Sequence, residues 1–318
     1  AQARAVELLQ AATAERDLPQ RLRLLQETQE LLLRADTPLE TTGSCLDYFL
    51  NLKADPNASL RRYAAHFLER LLFFKPGLAL RCVPTVGVLL GDSDAVVQEL
   101  ALKAAAKLHG RALFLLSLEQ EALQFQRHQE QLRRVEAAIS GLLTGGCVDQ
   151  PAQFQLAVKW AKALVLSQTP SPLPLRVRVP SELRGVSCLQ DFPERVSHHL
   201  DRNALRQHAE ELFKLLCQLL EHPPHGCWDH AHFKALLQCL GSVARQRPTF
   251  LRPLLELCSR LLGAAEAATG LVAAEPQELR EWVRTEIQGL LTSSLTLERH
   301  GELAEILQRA GLAGSLED

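Results

Sequence analysis

Asp55–Leu71, DPNASLRRYAAHFLERL, and Asp92–Leu108, DSDAVVQELALKAAAKL, are versions of one another. They align without a gap at an offset of 37 residues, which places Asp55 on Asp92, Ala58 on Ala95, Leu60 on Val97, Ala64 on Ala101 and Leu71 on Leu108. An acidic turn opens each copy, and an Asp carboxylate there accepts from the free N–H groups of a first helical turn. Small and apolar residues follow at helical spacing, giving a face that a neighbouring helix can approach closely. Each copy reads as the second helix of a helical hairpin, and a repeat of this length built from helix pairs marks an α-solenoid. One hairpin cannot bury its apolar face alone, so neighbours must stack on it.

The rest of the composition agrees with that reading. The chain has 318 residues, 47% of them hydrophobic and only 5% aromatic. That suits a continuous core built mainly from Leu and Ala in helices. We expect one all-α domain over residues 1–318, a superhelix of HEAT/ARM-like hairpins. Lys plus Arg is 35 and Asp plus Glu 37, a net charge of −2, so no global field draws the chain to nucleic acid or an anionic membrane. None of the eight cysteines forms a C-x-x-C pair, and most lie in apolar helical pattern, as buried free thiols of a reducing compartment do. No run of eighteen apolar residues and no signal-peptide layout occurs, so neither a membrane span nor secretion is expected.

Along the chain, helices are expected over about 4–14, then from an N-cap at Asp17, then over 42–52, 58–74, 77–90 (with a kink at Pro84) and 95–109. A long amphipathic helix over 113–143 follows. A third copy of the repeat helix starts near Asp149 and Ala152. The stretch from Ser167 to about residue 197 is Pro-rich and aperiodic, a long loop between two helical halves. Helices resume over 202–221, 229–245, 248–262, 276–291 and 297–310.

HPPHGCWDHAH gathers His222, His225, Cys227, Asp229, His230 and His232, residue types that could hold zinc. The spacing matches no zinc motif, and Asp229 suits an N-cap, so the reading is a solvated turn with no metal and no cofactor. There is no G-x-S-x-G and no phosphate loop, so no catalytic residue is expected and the chain is not expected to be an enzyme. Scattered arginines such as Arg21, Arg23, Arg61, Arg62, Arg176 and Arg178 form no basic stripe, so direct nucleic-acid binding is not expected. Lys159 stands in LAVKWAKALVL, a helix apolar apart from Lys159 and Lys162, where a lysine either snorkels to water or faces a partner.

LGSVARQRPTF (Leu240–Phe250) resembles the symplekin family's motif Leu-x-x-x-Ala-Arg-Gln-Arg-Pro-x-Phe. Around it, LLQETQELLL, SLRRYAAHFLERL, AVVQELALKAAAKL, Ala157-Val158-Lys159-Trp160, His222-Pro223, LREWVRTEIQGLL and LAEILQRAGL follow the order of that family's N-terminal HEAT-repeat domain. The resemblance implies a nuclear, non-catalytic scaffold of pre-mRNA 3′-end cleavage and polyadenylation. It would bind and stimulate the phosphatase acting on the fifth-position phosphoserine of the RNA polymerase II C-terminal-domain heptad, alongside other cleavage and polyadenylation factors. The family's lysine in the Ala-Ile-Lys-Phe helix lies at that interface, which assigns Lys159 a partner contact. Lys103, Lys107 and Lys162 extend the assignment, and Gln155 and Leu156 stand where the family has basic or polar residues. The alternatives are a transport or cargo adaptor holding a peptide in a HEAT-like groove, and a metal-dependent enzyme. ARQRP itself is expected to serve structure, with Arg245 and Arg247 satisfying a helix end and Pro248 opening the next helix.

Overall fold

The computed structural model describes residues 2–146, 150–172, 199–223, 230–266, 276–292 and 300–309. Among them the protein is all-α, a solenoid-like stack of helical hairpins with no strand. The chain divides into two compact units, Ala1–Ser140 with Phe192–Leu200 and Gly141–Asp191 with Asp201–Asp318.

The first unit contains α1 (Gln2–Ala14), α2 (Leu18–Leu32), α3 (Leu39–Asn51), α4 (Ala58–Phe74), α5 (Ala79–Leu90), α6 (Ala95–Ser117) and α7 (Ala122–Gly141). Asp17 caps α2 as expected, its side chain accepting from the Gln20 N–H, with Pro19 in the first turn. Hairpins α3–α4 and α5–α6 stack so that α4 lies on α6, the two helices of the aligned repeat. Their buried faces correspond position by position: Leu60, Ala64 and Leu71 in α4 match Val97, Ala101 and Leu108 in α6, all at most 1% exposed. Phe49 of α3 stacks on Phe67 of α4 with centroids 4.0 Å apart.

The repeat extends to its hydrogen bonds. The cap itself lies two residues beyond the aligned Asp, at Asn57 for α4 and Asp94 for α6, while Asp55 and Asp92 accept from the backbone N–H of those caps. Arg61 Nη1 donates to the Asp55 carbonyl oxygen, and Gln98 Nε2, its equivalent in the next repeat, donates to that of Asp92. Arg61 also grips both oxygens of the Asp92 carboxylate at 2.7 and 3.0 Å, as Arg21 reaches Asp55 at 3.5 Å. Arg62 pairs with Asp94 and holds that carboxyl down at about 2. Each acidic turn thus caps its own helix and is held by an arginine from the second helix of the preceding hairpin.

Several expected boundaries shift. The helix of the second copy does not end at His109 but continues as α6 to Ser117, and the break falls over Leu118–Glu121. HGRALFLLS contains no proline and its small Gly110 is buried against neighbours, so nothing stops the helix there. The expected single helix over 113–143 is accordingly split between the end of α6 and α7, which passes into a π-helical turn at Leu142–Gly146. The helix carrying Pro84 starts at Ala79, preceded by a 3₁₀ turn.

The second unit contains α8 (Pro151–Gln168), α9 (Arg202–Glu221), α10 (His230–Gln246), α11 (Leu251–Glu266), α12 (Pro276–Leu291) and α13 (His300–Arg309). The α9–α10 and α11–α12 hairpins stack, α9 on α11 and α10 on α12, and α8 packs on α10 and α9. Helices α8, α10 and α12 thus form one row. Trp160, Phe154, Phe213 and Phe233 are buried among these helices. Ser167 and Gln168 belong to α8 rather than to the Pro-rich stretch; the rest of that stretch from residue 173 to 198, and Asp149, lie outside the described residues.

In the first unit His109 is buried, and its Nδ1 lies 3.6 Å from the Glu136 carboxylate of α7. Burial pushes the Glu136 carboxyl up to about 7, a shift that Arg133 opposes only in part. The folded state therefore holds this proton more tightly than the unfolded chain does. The stabilisation is complete below pH 4.5, the ordinary value, and is lost as pH rises through about 7. Glu136→Gln, a neutral shape match, should leave the melting temperature unchanged near pH 4.5 and raise it above pH 7. The gain there is up to about 3 kcal/mol, read by thermal denaturation across that range.

Candidate docking surface

Lys159 lies on the exposed face of α8. Gln155, Val158, Lys159 and Lys162 recur at i, i+3, i+4 and i+7, one stripe of the helix. Helix α10 answers with Ala231, Lys234, Ala235 and Gln238 in the same spacing. Between the two stripes runs a groove of about 350 Å³. Val158 and Cys239 are buried in its floor, where the Cys239 thiol reaches the Val158 carbonyl oxygen at 3.6 Å. Lys159, Lys234, Gln155 and Gln238 are exposed along its walls, and Lys162 is half-buried.

No acid balances these lysines within either helix. PAQFQLAVKWAKALVLSQ and HAHFKALLQCLGSVARQ contain no Asp or Glu at all. The carboxylates of the adjoining α12 are spent elsewhere: Glu278 on His230 at 2.8 Å, Glu281 on Arg284 at 3.6 Å, and Glu286 on Arg245 at 3.1 Å. Among the described residues Lys159, Lys162 and Lys234 take part in no ion pair.

The structure therefore brings together three of the residues singled out in the sequence, Gln155, Lys159 and Lys162. Lys103 and Lys107 are elsewhere, on α6 in the first unit. Lys103 pairs with Glu99 at 2.8 Å, while Lys107 pairs with Glu69 at 2.9 Å and lies over the Phe73 ring. Lys234 and Gln238 escape a sequence reading because 75 residues separate Lys159 from Lys234 and only the packing of α8 on α10 unites them. The signal that was present is the absence of acids from both helices.

The ARQRP run holds this surface in place. Arg245 reaches α12, where it meets the buried Glu286. The two helices approach closely enough that a Cβ at Gly241 would overlap that carboxylate and one at Gly289 would crowd Arg245. Arg247 is buried and does not close its own helix alone. It donates to the Leu166 carbonyl oxygen at 2.8 Å and to the Thr169 hydroxyl at 3.1 Å, so it satisfies the C-terminus of α8. It also reaches the Gln246 carbonyl oxygen at 2.9 Å, and Pro248 opens the 3₁₀ turn leading into α11, as expected.

Burial pushes the Cys82, Cys217, Cys239 and Cys258 thiols up to about 12, which favours the inert protonated form. His225, Cys227 and Asp229 lie outside the described residues. His232 packs on Phe154 with centroids 4.7 Å apart, and among the described residues no three His, Cys, Asp or Glu side chains stand as a metal-binding group.

No protein-family model matches the chain. A solved structure described as that of an engineered protein is similar over 99% of both chains, at 15% identity and a TM-score of 0.43. So distant a likeness bears on neither family nor function.

Removing Arg247 tests its clamp on α8. Arg247→Ala should lose about 3 kcal/mol or more in urea denaturation, because carbonyl oxygens at the end of α8 lose charged donors inside the core. Arg247→Lys should recover little, since one ammonium cannot span Leu166 and Thr169 as the guanidinium fork does.

Proposed function

We propose that the protein is a non-catalytic interaction scaffold of symplekin type. In this reading it acts in the nucleus within the pre-mRNA 3′-end processing machinery, docking and stimulating a phosphatase of the RNA polymerase II C-terminal domain through α8. The observation that carries the reading is the exposure of Lys159 beside Gln155 and Lys162 on a helix without a single acid. An isolated lysine that merely snorkels needs no such setting. A face with unpaired charges at its rim and buried apolar residues at its floor has the make-up of a protein interface. The ARQRP run supports the same reading indirectly, since Arg247 fixes the end of α8.

Stimulation requires no catalytic group from the scaffold. If the phosphatase is bound more tightly in its active conformation than in its inactive one, binding shifts the population, by no more than that difference in affinity.

The test is direct binding of the purified chain to that phosphatase by calorimetry, with a phosphopeptide turnover assay in parallel. Lys159→Ala should weaken binding about fivefold and reduce stimulation in step. A parent chain that neither binds nor stimulates the enzyme would remove the reading. Recovery of transport or vesicle proteins from extract, without cleavage factors, would favour a cargo adaptor.

A further inference from the structure

We infer that the groove between α8 and α10 takes a carboxylate-rich peptide segment, an extended run of Asp and Glu from a partner. This deepens the docking reading and rests on it for the choice of surface, but it specifies the chemistry of what lies in the groove.

Three observations converge on that occupant. The first is charge: Lys159, Lys162 and Lys234 line one groove, and neither helix offers an acid to any of them. Elsewhere among the described residues basic side chains repeatedly find a carboxylate, as Arg61, Arg62, Arg81, Lys103, Lys107 and Arg260 do. In a chain with 37 acids and a net charge of −2, an acid-free pair of packed helices is a local exception. Like charges one helical turn apart repel, and a partner carboxylate removes that cost.

The second is geometry. Lys159 and Lys162 stand one turn apart on the α8 wall, and Lys234 stands on the α10 wall, so both walls carry an ammonium group. Phosphate recognition favours convergent donors, above all the planar arginine fork and backbone N–H groups. Here, among the described residues, the walls carry lysines and no arginine, so flexible point charges rather than planar forks meet the bound segment, and single carboxylates suit them. The third is the lining. Val158, Ala231, Ala235 and Cys239 give an apolar floor for the aliphatic parts of the bound segment, and the Gln155 and Gln238 amides can both donate and accept along its backbone. Among the described residues no aromatic ring lines the groove to stack a base, which sets it apart from a single-strand nucleic-acid platform.

Fluorescence anisotropy with a fluorescein-labelled octaglutamate peptide tests the assignment on the full chain. Octaglutamate should bind, octaglutamine should not, and affinity should fall steadily as salt is raised. Lys159→Glu combined with Lys234→Glu should weaken binding about tenfold or more, whereas Lys214→Glu, an exposed lysine on α9, should leave it within about twofold. Circular dichroism of the double variant confirms that it is folded. Octaglutamate binding that is absent, or indifferent to the double reversal, overturns the proposal. So does an oligouridylate or a singly phosphorylated neutral peptide that binds as tightly. The two readings fail separately. Phosphatase binding that depends on Lys159 without any octaglutamate affinity would sink the acidic occupant alone. Octaglutamate binding in a chain that ignores the phosphatase would sink the scaffold reading and leave the groove assignment standing.

Discussion

Helix ends are the constraint that shapes this protein. Every helix leaves N–H groups at its start and carbonyl groups at its end without partners inside the helix, and stacking buries many of them. The chain answers with long cations reaching from one hairpin to the backbone of another. Lys75 of the turn after α4 donates to the Arg34 and Thr37 carbonyl oxygens beyond α2, at 2.8 and 2.6 Å. Arg81 of α5 donates to the Gly43 carbonyl oxygen of α3. Arg247, between α10 and α11, does the same for the end of α8, while Arg61 of α4 joins the Asp55 carbonyl oxygen of its own turn to the Asp92 carboxylate of the next hairpin. These bonds set the register between neighbouring hairpins. Apolar packing alone would tolerate a slide of one helix along the next far more readily.

Much of this was legible because it is local. The Asp17 cap, the span of α4 and the bounds of α9 and α12 follow from capping residues and apolar spacing within one helix. The gapless alignment of Asp55–Leu71 with Asp92–Leu108 likewise survives down to the equivalence of Arg61 and Gln98. What failed to show was non-local. HGRALFLLS carries no stop signal, yet a helix from His109 onward could begin or continue there with equal local propensity. The partner of Arg247 is invisible for another reason: Leu166 and Thr169 lie about 80 residues away in sequence, and a basic residue near a helix C-terminus is first read as serving its own helix. Lys234 joins Lys159 only because α10 packs on α8.

The allocation of charge distinguishes the two kinds of basic residue. Cations that reach backbone or paired carboxylates, such as Arg61, Arg81 and Arg247, are consumed by the architecture. Lys103 and Lys107 fall largely in that category too, since Glu99 and Glu69 already neutralise them. The three lysines of the α8–α10 groove belong to the other kind. A mutation of the first kind is expected to act through folding, and one of the second kind through recognition, so stability and binding should separate cleanly when variants from both sets are compared.

That separation bears on how a scaffold could transmit an effect. Arg247 and the Arg245–Glu286 pair fix α8 and α10 against their neighbours, while the groove side chains remain exposed on helices that are rigidly held. A preorganised surface loses little conformational entropy when a partner docks, so more of the contact energy is available to discriminate between the partner's conformations. Lysine, with its long flexible stem, limits that advantage: each immobilised side chain costs entropy that the ion pair must first offset. Rigid helices bearing adaptable charges are thus suited to a segment that is itself flexible and acidic, where long-range attraction speeds encounter and the helical floor fixes the final register.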